Sequence, residues 1–430
     1  MNFKPAFTRL SSLLSSISLT LILACNTSVD DKIEEVTPDQ IRIGILAPIT
    51  GPLAGFGQDF EKTARLAASE INAAGGVNGK AIGFLVRDTR LGLSDSSQVS
   101  IQMAQMLINE GVVGIIGPAG SGTTIAIAPT LIAANIPMIT PSATSPALTA
   151  LDDNDLIWRS VASDAFQGKF LADQLIADNI NSISIIYRND AYGLGLQQTL
   201  SDQFSLGGGS VLSRVSYSPE KTSGFDDEVS QLFSSGMPDA LVIISFALDG
   251  ASIMVALASK NPIPMPLLYG VDGNNRDEFI ANSPAQLILG MKGSAPFAPS
   301  NSSNYIAFTE NYRNTFNAPP PTFTESVYDA VYLMALAMNV GGENTSNAIR
   351  QNLRALSRSD SASGLVVDVG PSGYALALQN LSQDIDLQGA AGAIDFDING
   401  DVTSGNYVLW QIVEINGELA FQNILESPFP

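Results

Sequence analysis

From residue 41 onward the chain repeats one unit: a short apolar strand, then a helix whose apolar residues recur three and four apart. The first round reads as strand 41–47, helix 59–74, strand 82–86, helix 95–110, strand 112–116, helix 123–134 and strand 136–139. Phe60, Ala64, Ala67 and Ile71 share one face of its first helix, and Gly75-Gly76 stops it. The pattern then restarts as strand 183–187, helix 194–206, strand 210–217, helix 225–235, strand 240–246, helix 250–260, strand 266–269, helix 275–281 and strand 287–291. Such alternation leaves parallel sheets covered by helices on both faces as the expected architecture. Two rounds predict an α/β protein of two doubly wound lobes. Helices 302–316, 324–340 and 345–356 lack strands of their own at matching spacing and are expected on the first lobe. A final strand near 407–415 is expected to join the second.

The resulting division is 40–161 plus 298–400 for the first lobe and 162–297 plus 401–430 for the second. The chain then crosses between lobes near 160–165, 292–298 and 398–405, a three-segment hinge. Open α/β sheets bind ligands beyond the carboxyl ends of their strands. That rule selects the loops 47–58, 117–124, 140–146, 189–195, 246–250 and 270–275.

Composition narrows the chemistry. The 430 residues include no histidine and one cysteine, so neither a Ser-His-Asp triad nor a Cys-His pair, thiolate zinc cluster or intrachain disulfide is available. No metal constellation or cofactor motif is read. A net charge of −21 opposes nucleic-acid binding, which needs clustered Lys and Arg. The sole Ser-x-x-Lys spacing, Ser218 to Lys221, holds Pro219 and runs into Thr222-Ser223-Gly224, so it reads as a loop and not a catalytic helix. An enzyme is not expected.

The N-terminus reads as an address. Lys4 and Arg9 precede an apolar run ending Ile22-Leu23-Ala24-Cys25, too short to span a bilayer comfortably. Residues 1–24 are read as a signal peptide, and 25–39 as an acidic tether. The Leu-Ala-Cys ending resembles the lipobox of bacterial lipoproteins. That resemblance implies acylation at Cys25 and an exported, lipid-anchored body in the cell envelope, periplasmic where an outer membrane exists.

The loops suggest a zwitterion site. Gly117-Pro118-Ala119-Gly120-Ser121-Gly122-Thr123-Thr124 nearly spells a phosphate loop, but Thr123 stands where the lysine should be. Its backbone N–H groups and the Ser121 hydroxyl suit a carboxylate at a helix N-terminus. Thr140-Pro141-Ser142-Ala143-Thr144-Ser145-Pro146 would lie beside it. Asp272, after a second-lobe strand, reads as an unpaired acid able to take an ammonium group. The run Asp395-x-Asp397-x-Asn399-Gly400-Asp401 imitates the start of a calcium loop, but its twelfth position is Asn406, not glutamate.

At this point the chain resembles the branched-chain amino acid binding proteins of ABC transporters, which have the type I periplasmic binding fold. Matching stretches include Thr50-Gly51-Pro52-Leu53-Ala54 before Phe56-Gly57, Glu70-Ile71-Asn72-Ala73-Ala74-Gly75-Gly76-Val77-Asn78-Gly79, Ile116-Gly117-Pro118, Pro141 to Pro146, Asp190-Ala191-Tyr192-Gly193, and Asp395-Phe396-Asp397 with Gly400-Asp401. The resemblance implies a carboxylate contact from Ser121. It implies main-chain and hydroxyl contacts from Ser142, Ala143 and Thr144, and an ammonium contact from Asp272. Phe56 and Phe246 would cover the ligand side chain, and Tyr192 would close over it. Phe246 replaces a common tyrosine, and Asp272 a common glutamate. The implied partners are a small amino acid and an ABC permease, with the binding protein a monomer. Two other functions fit the same residues: a sensor of the same fold, and an envelope lipoprotein that regulates a cell-wall enzyme by contact.

Overall fold

The computed structural model describes Met1 and residues 36–357 and 364–429. Cys25, the leader and most of the tether lie outside the described residues. Val36–Pro430 is one compact unit. Its first lobe is built on β1 (Ile41–Ala47), β2 (Ile82–Asp88), β3 (Gly114–Ile116), β4 (Met138–Thr140) and β5 (Ile157–Arg159). These run in the order β2-β1-β3-β4-β5, with every neighbouring pair parallel. Side chains alternate between faces, so Ile43, Ile45, Ile116 and Ile139 join one core while Leu46, Ile115 and Met138 join another.

The second lobe uses β6 (Ser182–Arg188), β7 (Ser210–Tyr217), β8 (Ala240–Ile244), β9 (Leu267–Gly270) and β10 (Lys292–Pro296). After a small parallel pair, β11 (Leu365–Asp368) and β12 (Ile385–Gln388), the chain returns as β13 (Gly405–Ile415) and β14 (Glu418–Phe429). The sheet order is β14-β13-β10-β9-β8-β6-β7, and β13 and β14 are antiparallel to their neighbours. Leu241 and Ile243 face one helical layer, Val242 and Ile244 the other. The helix Thr324–Gly341 is buried from Thr324 to Asn339 and packs beside the helix Ala54–Ala73.

Two sequence expectations need correction. Residues 287–291 are not a strand: Ala285–Ile288 is a short helix, and the strand is Lys292–Pro296. The strand was concealed because it is made of small residues. A Cβ on Gly293 would stand 2.1 Å from the Trp410 ring of β13, so the neighbouring indole supplies the apolar cover. The first helix begins at Ala54, not 59. Gly55 and Gly57 read as loop, but Gly57 lets the helix press on β1's exit, where a Cβ would lie 2.1 Å from the Pro48 carbonyl oxygen. Among the described residues no helix is long and apolar enough to cross a membrane.

Candidate functional site

In the first lobe the strand order reverses around β1, which lies between β2 and β3. In the second it reverses around β6, between β7 and β8. Loops leaving such points diverge and open a crevice. The two crevices form one cleft, lined by Leu53, Phe56, Leu91, Ala119, Gly120, Ser121, Ser142, Tyr192, Phe246, Asp272, Gly273 and Phe323.

The first-lobe wall is neutral and laced together. Gly117 has φ of +93°, and a Cβ there would stand 2.1 Å from the Leu46 carbonyl oxygen, so only glycine lets β3 turn out over β1. The turn leads into the helix Ser121–Ala134, whose first residue is Ser121. Ser121 Oγ accepts from the Ser145 N–H at 3.2 Å, and the Ser142 hydroxyl donates to the Ala119 carbonyl at 2.9 Å. Thr140 donates to the Pro118 carbonyl at 2.7 Å, so the loops after β3 and β4 act as one piece.

The second-lobe wall carries charged side chains. Asp190 caps the helix Ala191–Leu206 by accepting from the Gly193 N–H at 2.9 Å, which seats Tyr192 on its first turn. The Tyr192 ring stacks on Phe246 at 5.6 Å and 7°. Arg188, paired with Asp190 and Asp249, covers Phe246 at 4.5 Å. Asn274 fastens the loop after β9 by donating to the Ser245 carbonyl and hydroxyl at 3.2 and 2.7 Å. That places Asp272, 6% exposed, on the cleft.

Asp272 is not unpaired. Its Oδ1 accepts from the Tyr192 hydroxyl at 2.7 Å and from Gln167 Nε2 at 2.9 Å. Both donors are neutral. Burial raises the Asp272 carboxyl above its ordinary value, against the lowering pull of these two bonds. Behind it lies Asp164, fully buried and raised well above the usual carboxylate range by burial and then by the Asp272 charge. Arg159, the cation facing Asp164, is bidentate to Asp401 at 2.5 Å on each arm. Among the described residues the side chains that donate to the two acids, Thr144, Gln167 and Tyr192, are neutral.

Of the sequence-derived residues, Phe56, Ser121, Ser142, Tyr192, Phe246 and Asp272 line the cleft together. Ala143 and Thr144 are fully buried behind it, and the Thr144 hydroxyl donates to Asp164 at 2.9 Å. The Asp-rich run near 395–401 is engaged by protein: Asp401 holds Arg159, and Asp397 Oδ1 accepts from the N–H groups of Asn399 and Asp401. Among the described residues no group of three or more Asp, Glu, Cys or His side chains is arranged to hold a metal.

Residues 40–376 match the family model described as periplasmic binding protein. The chain belongs to that family. The chemotactic signal transduction system substrate-binding protein BasB of Halobacterium salinarum is 25% identical over 393 residues, 87% of each chain. A leucine-, isoleucine-, valine-, threonine- and alanine-binding protein of Pseudomonas aeruginosa is 25% identical over 320 residues, 74% of this chain and 83% of its own. Among solved structures, the branched-chain amino acid transporter substrate-binding protein LivJ of Streptococcus pneumoniae, in complex with isoleucine, aligns with a TM-score of 0.71 at 24% identity, covering 90% of this chain and all of its own. These relatives are solute-binding proteins and not enzymes. This chain is thus a periplasmic binding protein by family, with the type I periplasmic binding fold.

Residues that sequence reasoning missed surround the same periplasmic-binding cleft. Gln167 steadies Asp272, Arg188 backs Phe246, and Leu91 arrives on the loop after β2. Phe323 lies on the cleft with φ of +75°, a left-handed conformation rare for an aromatic residue. Its signal in the sequence was only its place before the helix at 324.

Proposed function

We propose that this protein captures a small amino acid with an apolar side chain by hinged closure of its two lobes and delivers it to an ABC permease. The observation that carries this reading is Asp272, a buried carboxylate held by neutral donors only, across a cleft from a wall of hydroxyls and amides. A buried charge without a counter-charge is costly, and an arriving ammonium removes that cost. The ligand carboxylate then faces Ser121 and Ser142, where a helix N-terminus favours negative charge. Phe56, Phe246, Phe323, Tyr192, Leu53 and Leu91 leave the side chain an apolar enclosure. The named ligands of the Pseudomonas and Streptococcus relatives support the branched-chain class.

Export, acylation at Cys25 and monomeric action at the outer face of the cytoplasmic membrane or in the periplasm complete the proposal. A second reading, capture that feeds a receptor, is favoured by one observation: the halobacterial relative is named for chemotactic signalling. Titration of the purified chain with the twenty amino acids, read by thermal shift and then calorimetry, tests the core claim. A melting-temperature rise with leucine, isoleucine or valine is expected. No response to any amino acid overturns it. Deletion of the partner permease separates the readings, since uptake fails in one case and only the behavioural response fails in the other.

A further inference from the structure

Arg276 leaves the second lobe and lies on the first. It follows Asp272 in the loop after β9, yet its guanidinium carbon stands 3.8 Å from the centre of the Phe56 ring. Its Nη2 donates to Asp59 Oδ2 at 3.2 Å. Phe56 and Asp59 both lie near the start of the helix Ala54–Ala73, and the side chains of Arg276 and Asp59 are 10% and 18% exposed. Gly55 leaves room for the crossing: a Cβ there would meet Arg276 Nη2 at 3.3 Å and Glu278 Oε1 at 3.5 Å. Arg276 does not line the cleft, whereas Phe56 does.

This geometry has a direct consequence for closure. The stack and the ion pair join residues of different lobes, so they exist only while the lobes are together. An interaction present in one state of an equilibrium shifts the population towards that state by its full free energy. The contact also holds the Phe56 ring, one wall of the cleft, against rotation. Asp59 is raised above its ordinary value by burial although Arg276 pulls the other way, so desolvation offsets part of the ion pair. The planar stack, which a lysine cannot reproduce, therefore carries much of the contact.

We propose that Arg276 is a positioning residue for ligand capture, a clasp that engages Phe56 and Asp59 as the lobes close and slows ligand release. The idea deepens the amino-acid reading and rests on it for the identity of the ligand, but the clasp itself is testable without one. The full chain and its Arg276→Ala, Arg276→Lys and Asp59→Asn variants are compared by stopped-flow with L-leucine and by small-angle scattering with and without it. Arg276→Ala is expected to release L-leucine about tenfold faster while association stays within about twofold, the usual division of effect between the two rates. Arg276→Lys should recover only part of the loss, and adding Asp59→Asn to Arg276→Ala should change little more. Ligand-free Arg276→Ala should also be more extended in solution than the parent. A cooperatively melting Arg276→Ala protein with parental release rate and parental radius of gyration overturns the clasp. If the parent binds no L-leucine, the amino-acid reading fails, and scattering alone decides the clasp by the same criterion. Should Arg276→Ala not fold, Arg276→Lys and Asp59→Asn carry both measurements with the same criteria.

Discussion

The two walls of the cleft are built on opposite principles. The first-lobe wall is neutral, and its hydroxyls already bond to its own backbone through Ser142 to Ala119 and Ser145 to Ser121. The second-lobe wall presents Asp272, which only neutral side chains reach and which is backed by a second buried acid, Asp164. The first wall is thus held in shape before any ligand arrives, whereas the second gains a counter-charge in the proposed complex. The proposed zwitterionic ligand is the complement of that difference, its ammonium end towards the second lobe and its carboxylate end towards the first.

The largest expected effect comes from breaking the first wall at its foundation. Gly117→Ala puts a Cβ against the Leu46 carbonyl in a left-handed backbone. It should cost about 3 kcal/mol or more, read as a lower urea midpoint. A midpoint equal to the parent's would mean the loop is not held as described.

Next comes a buried acid in a neighbouring cavity. Glu325 lines a cavity with Ser160, Pro296 and Asn406, and burial pushes its carboxyl from 4.5 up to about 7. The folded protein therefore holds a proton that the unfolded chain has released between those values. Stability contributed by this group is greatest at acidic pH and declines as pH rises through that window, by about 3 kcal/mol in all. Asp329, pushed up by burial to about 8, declines in the same sense and further into the alkaline range. Glu325→Gln should remove the Glu325 part, so that the variant gains on the parent from pH 5 to pH 8. A parallel pH profile for the two proteins would contradict the assignment.

A smaller effect tests the first wall's self-sufficiency. Ser121→Ala leaves the buried Ser145 N–H without its acceptor and should lower stability by about 1–2 kcal/mol, besides weakening ligand binding. Weaker binding with unchanged stability would mean that the Ser145 bond is immaterial. Tyr192→Phe is the mildest of the series: it removes one neutral donor from Asp272, and affinity should fall a few-fold, about 1 kcal/mol.

Much of this arrangement was legible in the sequence, for a physical reason. Parallel strands buried on both faces need continuous apolar runs, and such runs at 41–47 and within 240–246 became β1 and β8. Legibility failed where a neighbour supplied what the strand lacked. β10 is made of Lys, Gly, Ser, Ala and Pro because Trp410 covers it, while the apolar Leu287-Ile288 before it is a helical turn. The site residues that sequence reasoning found lie on loops at strand ends, where local glycine, serine and aspartate patterns are visible. Gln167, Arg276 and Phe323 escaped because their roles arise only from folding. Gln167 reaches Asp272 from a helix more than one hundred residues earlier, and Phe323 owes its place to an unusual backbone conformation. Asp272 and Tyr192 were both found, but the bond between them and the one from Gln167 were not, so Asp272 read as bare.

The central claim is that Asp272 awaits an ammonium group. Calorimetry on the parent and on Asp272→Asn, with L-leucine and with 4-methylpentanoate, its analogue lacking the amine, tests it most directly. The parent should bind L-leucine at least about tenfold more tightly than the analogue, and Asp272→Asn should lose most of that preference. The ligand-free variant should also melt higher than the parent at neutral pH, because it no longer buries an unbalanced charge. Equal L-leucine affinity in the parent and Asp272→Asn would contradict the account.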